Sequence, residues 1–571
     1  MNNNLDVLII GSGPGALAAA ICLSKAGKKV LVLEQHYVPG GWCHSFHLKG
    51  QRFSPGVHYV GLVDKGKTSS NLFESLGIAN ELVFFKLNEK GYEHCWIGNE
   101  RVDMPANADK LYESLSARFP LEKENLKKYL KLVYNVSSQL EVLPTLRGLD
   151  FLTVPFRLRH LIRYGFFSLE KVISKYIKDP LLKDVLNIQC GDHALAPSKA
   201  SFLLQCAMMG HYKEGGYYPI GGGGGLIKAM TNSLKRLGGE VKVEKRVTRI
   251  LTEGIGKKKA IGVELANGEQ IKAKYVISNA DPDKTFHEMV GTENLSAKLK
   301  ARLDKTVYSV SSLIMFITID DDVTKYGVDS GNIWMTQEVD LDKQYKKISE
   351  VDLMSDDEFP ALFVSCSTLK DPQSFNGRYH NFEIITFVDH QLFKIFTGKD
   401  NYHSEKYDLY KQRACEKFLK SLEKVVPGVR NKIVQMELGT PKTNEFYINC
   451  TKANVYGTEK NLRQLLFPYQ FKTEIENLYM CGASTTSHGA TGAGISGVMA
   501  AAAILKCKVE DLMTTDGSQN IRIYDAEESS KWPAWIHQKI KDKKNRFKEL
   551  GVASEHSKST FQESAPSRAN L

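Results

Sequence analysis

The sequence predicts an α/β fold with a Rossmann-type nucleotide-binding domain, built from separated stretches of chain and joined to a mixed α+β domain with a helical cap. Three observations predict it. An apolar run, a glycine-rich turn, an alanine-rich helix and a second apolar run occupy residues 5–41. Another glycine-rich turn before an alanine-rich helix lies at residues 482–505. The chain has 571 residues, too many for one hydrophobic core, so at least two domains are expected.

The first stretch predicts a strand, a helix and a second strand that ends at an acid. Residues 7–10 form a short apolar run bounded by glycine, which indicates a buried strand. Gly11 permits the tight turn, Gly13 lets a pyrophosphate approach the backbone, and Ala16 is small enough for close packing of helix on strand. The helix directs free N–H groups and the positive end of its dipole at the phosphates. Glu34 is expected to accept hydrogen bonds from ribose hydroxyls and to disfavour a 2′-phosphate.

Composition and charge are ordinary for a globular protein in a reducing compartment. Hydrophobic residues make up 42% of the chain and charged residues 25%. The ten cysteines include no Cys-x-x-Cys pair, which argues against a zinc site or a disulfide framework, and we expect no metal. The net charge of +11 suits a polyanion or an anionic membrane surface. We expect no membrane-spanning helix and no signal peptide, because no apolar run approaches the roughly twenty residues that a span needs.

Motifs beyond the first unit resemble those of a known enzyme family. Pro39-Gly40-Gly41 follows the acid closely, and residues 53–61 read FSPGVHYVG. Residues 218–225 read YPIGGGGG, and residues 477–497 read NLYMCGASTTSHGATGAGISG. Together these segments resemble the FAD-dependent polyene oxidoreductases, which include phytoene desaturases, carotenoid isomerases and retinol saturases. The variant in this sequence is most similar to the retinol saturase and carotenoid isomerase branch.

The resemblance implies an FAD-binding domain of the glutathione-reductase-like or amine-oxidase-like type, with FAD as cofactor. It implies that Gly40 and Gly41 pass close to the cofactor and that the backbone of Val247 contacts the adenine. A helix N-terminus in the second signature would face the flavin and stabilise negative charge on the reduced ring. We therefore expect FAD to contact Gly11, Ser12, Gly13, Pro14, Gly15, Ala16, Glu34, Gln35, Gly40, Gly41, Val247, Gly482, Gly492, Gly494 and Ile495.

His58 is the predicted catalytic residue. The resemblance implies that it lies with Tyr59 near the isoalloxazine or the substrate, and a histidine titrates near neutral pH and can transfer a proton. A hydrogen-bonded histidine at a strand end explains the same residue without a catalytic role. Tyr59, Phe446 and Tyr447 are the predicted substrate-binding residues, with ordinary core packing as the alternative.

The order of the motifs predicts a divided FAD-binding domain. Its three segments are expected at residues 1–62, 215–300 and 471–515. The substrate domain is expected between them, largely helical at residues 63–214 and mixed at residues 301–470. Residues 516–571 are expected to contain a basic aromatic segment and a disordered tail.

Two segments combine aromatic and basic residues. Residues 151–167, FLTVPFRLRHLIRYGFF, suit a membrane interface or a helical cap over the protein's own core. Residues 531–550, KWPAWIHQKIKDKKNRFKEL, suit a membrane-surface helix or a helix docked on the protein. We expect a cytoplasmic protein that associates peripherally with a membrane.

The predicted reaction is redox chemistry on a carbon–carbon bond of a hydrophobic polyene, such as a retinoid or a carotenoid-like lipid. Such a substrate offers no acidic proton and no polarised carbonyl, so the flavin must exchange a hydride or electrons with it. Saturation is favoured over desaturation. The alternatives are redox-assisted cis–trans isomerisation, amine oxidation, and non-catalytic binding of prenylated proteins as in Rab GDP-dissociation inhibitors. The electron partner stays open, and no nucleic-acid partner is expected.

Overall fold

The computed structural model describes residues 5–142, 153–396 and 404–551. Its central element is a five-stranded parallel sheet whose strands come from distant parts of the chain. They are β1 (Val7–Ile10), β2 (Val30–Leu33), β9 (Glu240–Lys242), β13 (Tyr275–Ser278) and β19 (Leu478–Met480). Their order across the sheet is β19-β13-β1-β2-β9. All four residues of β1 are buried, as expected for a strand covered on both faces.

Three helices pack around this sheet: α1 (Pro14–Lys25), α10 (Gly222–Arg236) and α18 (Gly489–Leu505). The helices α1 and α18 cross closely because glycines face each other at the crossing. A Cβ atom added to Gly497 would overlap the carbonyl oxygen of Gly15. The two glycine-rich segments of the sequence therefore lie side by side.

A second, seven-stranded sheet belongs to the other side of the molecule, in the order β18-β14-β17-β16-β15-β6-β7. Neighbouring strands run antiparallel except for the parallel pair β6 and β15. The strands are β6 (Glu93–Ile97), β7 (Glu100–Met104), β14 (Ser311–Ile319), β15 (Asn332–Thr336), β16 (Ala361–Cys366), β17 (His380–Val388) and β18 (Ile433–Gly439).

Three small sheets complete the β structure of the described residues. They are formed by β10 (Val247–Glu253), β11 (Lys259–Leu265) and β12 (Gln270–Lys272); by β5 (Val83–Lys86), β8 (Tyr217–Pro219) and β20 (Arg522–Asp525); and by β3 (Phe46–Leu48) and β4 (Gln51–Phe53).

The first part of the substrate domain contains a helical cap. Its helices are α3 (Ala108–Arg118), α4 (Lys123–Val142), α5 (Val154–Arg157), α6 (Arg159–Tyr164), α7 (Leu169–Tyr176), α8 (Pro180–Asn187) and α9 (Phe202–His211), with a 3-10 helix at Ile188–Asp192 between α8 and α9. The remaining α-helices of the described residues are α2 (Thr68–Ser75), α11 (Ala297–Asp304), α12 (Leu341–Lys347), α13 (Ser367–Lys370), α14 (Gln391–Lys394), α15 (Glu405–Val425), α16 (Pro441–Ile448), α17 (Leu462–Leu466), α19 (Val509–Leu512) and α20 (Ala534–Gly551), and a π-helix spans Lys284–Gly291. Among the described residues, no helix combines the length and the apolar character that crossing a membrane requires.

The basic aromatic segment near the C-terminus docks on the protein. The Trp532 ring contacts Phe85 of β5 edge-on, and the Phe547 ring contacts Tyr379 in the same way. Lys543 donates a hydrogen bond to the carbonyl of Ser374, and Ile536 is fully buried. Docking is thus the interpretation that the structure supports for α20. The predicted disordered tail at residues 552–571 lies outside the described residues.

The two apolar runs of the first stretch form β1 and β2 as predicted, whereas an alternating run further along the chain is divided between two sheets. Residues 239–250 alternate as a single strand would, yet they form β9 and the start of β10 in different sheets. Between them Glu244 adopts a left-handed φ of 55°, which turns the chain. The three predicted segments of the FAD-binding domain each supply strands to the parallel sheet, while their exact boundaries stay predictions.

Candidate active site

A long cavity opens at the carboxyl ends of the parallel strands. Gly11 follows β1, Glu34 follows β2, Asn279 follows β13 and Gly482 lies just beyond β19, and all four line the cavity. In open α/β sheets this edge is where ligands bind. The sheet topology therefore collects four polar or glycine positions from three distant parts of the chain.

Two helix N-termini point their free ends at this cavity. The helix α1 begins after Gly13 and α18 begins after His488, and neither has a side-chain hydrogen bond that caps it. Gly13, Pro14, His488 and Gly489 line the cavity. Uncapped N–H groups and the positive dipole ends favour negatively charged ligand groups there. The arrangement offers one site for phosphates and a second for an anionic ring.

The glycines around α1 are required by crowding. A Cβ atom on Gly13 would lie 2.8 Å from Nδ2 of Asn279. A Cβ atom on Gly15 would lie 2.8 Å from both the Ala493 carbonyl oxygen and Oδ1 of Asn279. Gly11 has a φ of 84°, a conformation that glycine adopts without strain. The bare backbone leaves room for a ligand to approach closely.

Glu34 is buried and held by hydrogen bonds from two neighbouring segments. Oε2 accepts from the Ser12 backbone at 2.9 Å and from the Ser12 hydroxyl at 2.6 Å, and Oε1 accepts from the His36 backbone at 2.8 Å. Burial raises the pKa of Glu34, and these hydrogen bonds oppose that rise. The carboxyl group is thereby fixed at the cavity wall.

The far end of the cavity has an apolar wall. Ile314 of β14 and Ile385 and Phe387 of β17 line it, together with Val455 and Tyr456. These residues come from the seven-stranded sheet and the loop after α16. A hydrophobic substrate could pack against this wall without stripping water from many polar groups, because few polar groups lie on it. The cavity thus joins a nucleotide-binding end to an apolar end.

His58 lines the cavity near this apolar end. Neither ring nitrogen has a hydrogen-bond partner among the described residues, and both nitrogens are buried. Burial and then the charge of Lys370 lower the pKa of His58 to about 3. Lys370 also donates a hydrogen bond to the His58 carbonyl at 2.9 Å. The ring is therefore uncharged at neutral pH and holds no extra proton to donate.

The structure places the predicted site residues in two groups. The cavity is lined by Gly11, Ser12, Gly13, Pro14, Glu34, Gln35, Gly41, Val247, Gly482, Tyr447 and His58. Gly15, Ala16, Gly40, Gly492, Gly494, Ile495, Tyr59 and Phe446 lie outside that lining. Phe446 is 63% exposed, so the structure puts it on the surface and away from the cavity walls. Tyr59 is buried and hydrogen-bonded to Asp192 at 2.7 Å.

Sequence reasoning missed Asn279 and His488. Asn279 packs against Gly13, Gly15 and Gly482. Like Gly11, it directly follows a strand of the parallel sheet, and this position in the sequence could have marked it as a cavity residue. His488 stands directly before Gly489, where the second signature starts its helix. Its ring Nε2 lies 2.7 Å from the Asp192 carbonyl oxygen.

The glycine cradle, the buried acid after β2 and the paired helix N-termini are the features of a dinucleotide-binding protein, and these define the class. The sequence pattern of the flavin-containing amine oxidoreductases matches residues 17–505. The chain belongs to that family and is an FAD-dependent oxidoreductase.

Two relatives identify what the chain is similar to. It is 28% identical over 517 residues to the all-trans-retinol 13,14-reductase of Danio rerio, with 86% of this chain and 84% of the relative covered. It is 27% identical over 523 residues to the chloroplastic prolycopene isomerase of Daucus carota, with 87% of this chain and 79% of the relative covered. The resemblance to the retinol saturase and carotenoid isomerase branch is thereby confirmed.

A solved structure agrees with the fold. An oxidoreductase from Methanosarcina mazei superposes with a TM-score of 0.60 at 17% identity, covering 88% of this chain and all of that chain. The predicted α/β fold of the amine-oxidase-like type is confirmed by this similarity and by the family match.

Proposed function

We propose that the protein uses FAD to saturate a carbon–carbon double bond of a hydrophobic polyene of the retinoid or carotenoid type. The observation that carries the proposal is the continuity of the nucleotide-binding end with an apolar wall formed by Ile314, Ile385 and Phe387. The similarity to a retinol 13,14-reductase along most of both chains supports it. Desaturation is the reverse chemistry on the same site.

The residues present fit FAD. In our proposal Gly11, Gly13 and the N-terminus of α1 would hold the pyrophosphate, and Glu34 would accept hydrogen bonds from the ribose hydroxyls. Val247 would contact the adenine, and the N-terminus of α18 would stabilise negative charge on the flavin. When bound, FAD supplies hydride and electron exchange with the substrate. The protein's own groups bind the cofactor, exclude water and orient the polyene.

His58 lies at the proposed substrate end. The uncharged His58 ring offers hydrogen bonding or accepts a proton, and its catalytic role stays a prediction. Tyr447 lines the cavity near the nucleotide-binding end, since it packs against His36 with ring centroids 4.8 Å apart, and its predicted substrate contact is not part of the proposal. Substrate contacts by Tyr59 and Phe446 are not part of the proposal, because neither lines the cavity.

An anaerobic half-reaction tests the proposal. The flavin-loaded protein is reduced with dithionite and mixed with all-trans-retinol or a carotene in detergent, and flavin absorbance and polyene products are followed together. Reoxidation of the flavin with a product two hydrogens heavier supports saturation. A product of unchanged mass with the flavin still reduced supports isomerisation, which the similarity to prolycopene isomerases makes the second candidate. No response to any polyene would contradict the proposal and direct the search to amines.

We also propose that the cap segment around α5 and α6 contacts a membrane surface from which the lipid enters. Phe156, Ile162 and Phe166 are 81%, 47% and 64% exposed, and Arg157 and Arg163 stand exposed beside them. Exposed apolar residues flanked by arginines suit the headgroup region of a bilayer. This extends the predicted interface segment, of which residues 151 and 152 lie outside the described residues.

Sedimentation with vesicles of phosphatidylcholine and phosphatidylserine tests this contact. The double variant Phe156→Ser/Phe166→Ser is expected to bind at least about tenfold more weakly, because two apolar side chains no longer enter the interface. Leu121→Ser is the matched control, since Leu121 is 99% exposed outside this segment. Equal binding of wild type and the double variant would contradict the proposal.

A further inference from the structure

One loop reaches from the nucleotide-binding end of the cavity to its apolar end. It comprises residues 449–457, between α16 and α17, and we call it the wall loop. It begins two residues after Tyr447, which packs against His36 near the nucleotide-binding end. Two of its later residues, Val455 and Tyr456, belong to the apolar wall. The conformation of the wall loop therefore decides where that wall stands.

The wall loop holds three residues in the left-handed region of backbone conformation. Asn449, Lys452 and Ala453 have φ values of 54°, 56° and 52°. Asparagine tolerates this region, but in lysine and alanine the Cβ atom crowds the following carbonyl oxygen. Such strain persists only where neighbouring contacts hold the chain in place. The adjacent pair Lys452 and Ala453 therefore needs contacts that offset its strain.

Asp281 provides such contacts from the end of a strand of the parallel sheet. It lies three residues beyond β13 and lines the cavity itself. Its Oδ2 accepts hydrogen bonds from the Thr451 backbone at 2.7 Å and from the Asn454 side-chain amide at 3.4 Å. Its Oδ1 accepts from the Thr451 hydroxyl at 2.8 Å and from the Lys284 backbone at 3.1 Å. Three of these four hydrogen bonds come from the wall loop.

The hydrogen bonds of Asp281 enclose the strained part of the loop. Thr451 directly precedes Lys452, and Asn454 directly follows Ala453. Asp281 thus holds both ends of the strained pair. Its bonding partners in the loop are donors, so the carboxyl group acts there as an acceptor at both oxygens. Burial raises the pKa of Asp281, and the hydrogen bonds that it accepts from backbone N–H groups oppose that rise.

Asn454 connects this anchor to the apolar wall. Its side chain is buried, and its Oδ1 accepts a hydrogen bond from the Gly457 backbone at 2.7 Å. Val455 and Tyr456 lie between these two bonded residues. Their place at the cavity therefore depends on Asn454 and, through it, on Asp281.

The wall loop is also tied to the seven-stranded sheet. The Val455 backbone donates to the Val310 carbonyl oxygen at 3.1 Å, and the Tyr456 backbone donates to the Ser309 hydroxyl at 2.9 Å. Ser309 and Val310 directly precede β14. The loop thus spans the two sheets, and Asp281 holds it on the side of the parallel sheet.

We propose that Asp281 is a positioning residue, which fixes the wall loop in its strained conformation and so places Val455 and Tyr456 where a polyene packs against them. A polyene has no hydrogen-bonding groups along its conjugated chain, so its orientation depends on the shape of the apolar wall. A small shift of that wall moves the reacting double bond away from its productive position. The substrate in this inference rests on the proposed function, whereas the fixing of the wall loop does not.

Amide hydrogen exchange of the flavin-loaded protein measures the fixing of the loop without turnover. In Asp281→Ala, exchange in residues 449–457 is expected to be at least about tenfold faster than in wild type, because a methyl group cannot accept the hydrogen bonds of Thr451 and Asn454. Asp281→Asn is expected to exchange at least about threefold more slowly than Asp281→Ala, because the amide oxygen still accepts at one of the two positions. Exchange in Asp281→Ala within about threefold of wild type overturns the proposal.

Retinol binding measures the consequence for the apolar wall. The fluorescence of all-trans-retinol, titrated with the oxidised flavin-loaded protein, gives its Kd. Asp281→Ala is expected to raise this Kd about tenfold, because the displaced wall loses contacts with the polyene.

Asp184→Ala is the matched control. Asp184 is another buried aspartate, which accepts hydrogen bonds from the backbone N–H groups of Asp340 and Leu341 and does not line the cavity. Its substitution is expected to lower stability and to leave both the Kd for retinol and the exchange of the wall loop unchanged. A Kd that rises equally in Asp184→Ala and Asp281→Ala would assign Asp281 a general structural role only and overturn the proposal.

Relief of the backbone strain provides a second test. Glycine adopts a left-handed φ without strain, so Lys452→Gly should make the loop less dependent on Asp281. In Asp281→Ala/Lys452→Gly, both the exchange of the wall loop and the Kd for retinol are expected to return at least about threefold towards wild type. Lys65→Gly is the control, because Lys65 is exposed in a turn and does not have a left-handed φ. No recovery with Lys452→Gly, or an equal recovery with Lys65→Gly, would overturn the proposal.

The two readouts separate this inference from the proposed function. If wild type does not bind retinol but Asp281→Ala speeds the exchange of the wall loop, the proposed function fails, while the exchange result still supports the fixing of the loop by Asp281. If wild type binds retinol and Asp281→Ala changes neither readout, this inference fails and the proposed function stands.

Discussion

The two ends of the cavity are built in opposite ways. At the nucleotide-binding end, backbone groups and short side chains satisfy one another, as Ser12 and His36 do with Glu34. At the substrate end, both ring nitrogens of His58 are buried and have no hydrogen-bond partner among the described residues, and the same holds for the ring nitrogens of His193 and Oε1 of Glu93, which lie outside the cavity lining. The first end is fixed by local geometry, while the second keeps ionisable groups in a dry environment at a cost in stability.

This contrast indicates where binding and chemistry reside. A cofactor that stays bound needs a rigid, satisfied cradle, which glycines and a buried acid provide. Acid–base chemistry needs groups whose pKa values are shifted from their ordinary values, and such groups are found toward the other half of the molecule. Burial lowers the pKa of His58, which lines the cavity, and raises the pKa values of Asp192 and Glu93, which lie outside the cavity lining. Substitutions at the first end should therefore affect folding and FAD affinity, and those at the second should affect rate and pH dependence.

The largest expected effect comes from placing a larger side chain in the close contact between α1 and α18. Gly497→Val would drive a side chain into the Gly15 carbonyl and the backbone of Ala19. We expect a loss of about 3 kcal/mol or more in the free energy of unfolding and little FAD-loaded protein, because rigid backbone cannot yield to overpacking. Thermal unfolding and the flavin-to-protein absorbance ratio measure both effects. Met499→Val, two residues along the same helix, is the control, and equal stability of the two variants would refute the close-packing argument.

Removing the charge at the nucleotide-binding end should weaken FAD binding. Glu34→Gln places an amide donor where Ser12 and His36 also donate, so one hydrogen bond is lost and the ribose hydroxyls lose a charged acceptor. We expect the Kd for FAD to rise about 100-fold, which corresponds to about 2.7 kcal/mol. The fluorescence of released flavin measures it. Glu240→Gln, on the exposed start of β9, should leave the Kd unchanged. An unaltered Kd in Glu34→Gln would rule out the proposed ribose contact.

A buried ion pair on the seven-stranded sheet should make stability depend on pH. Burial lowers the pKa of His94, but the hydrogen bonds that the ring donates to the carboxylates of Asp103 and Asp329 outweigh burial and raise the pKa to about 9. Because this value exceeds that of the unfolded chain, the stabilisation is complete below about pH 6.5 and is lost as the pH rises towards 9. Between pH 7 and pH 9, wild type is expected to lose about 2 kcal/mol more than His94→Gln in the free energy of unfolding.

Urea unfolding at the two pH values measures this difference. His380→Gln serves as the control, because burial lowers the pKa of His380 to about 4 and its titration lies outside that range. Parallel pH dependences of wild type and His94→Gln would show that His94 is not protonated in the folded protein.

The sequence allowed detailed prediction of the nucleotide-binding end and little of the substrate end, for a physical reason. Gly11, Gly13 and Glu34 lie within one βαβ unit, so their spacing along the chain fixes their spacing in space. Asp192, Glu93 and Tyr59 meet only through long-range packing, and no local pattern marks them. Asn279 and His488 fall between these cases. Asn279 directly follows β13 and His488 directly precedes α18, which the local sequence indicates, but only the order of strands in the sheet brings them to the cavity. The division of residues 239–250 into two strands depended on a single left-handed residue, Glu244.

The smallest expected effect concerns the C-terminal helix, for which the sequence left two interpretations. In the structure the Phe547 ring meets Tyr379 edge-on with centroids 5.2 Å apart. Phe547→Ala is expected to cost about 1 kcal/mol of local stability, the usual contribution of such an aromatic pair, and to speed amide hydrogen exchange in α20 while leaving the parallel sheet unaffected. Lys541→Ala, on the exposed side of α20, should change neither. Equal exchange in Phe547→Ala and wild type would mean that this contact does not hold α20 in solution. The membrane-surface interpretation of the helix would then be favoured over docking.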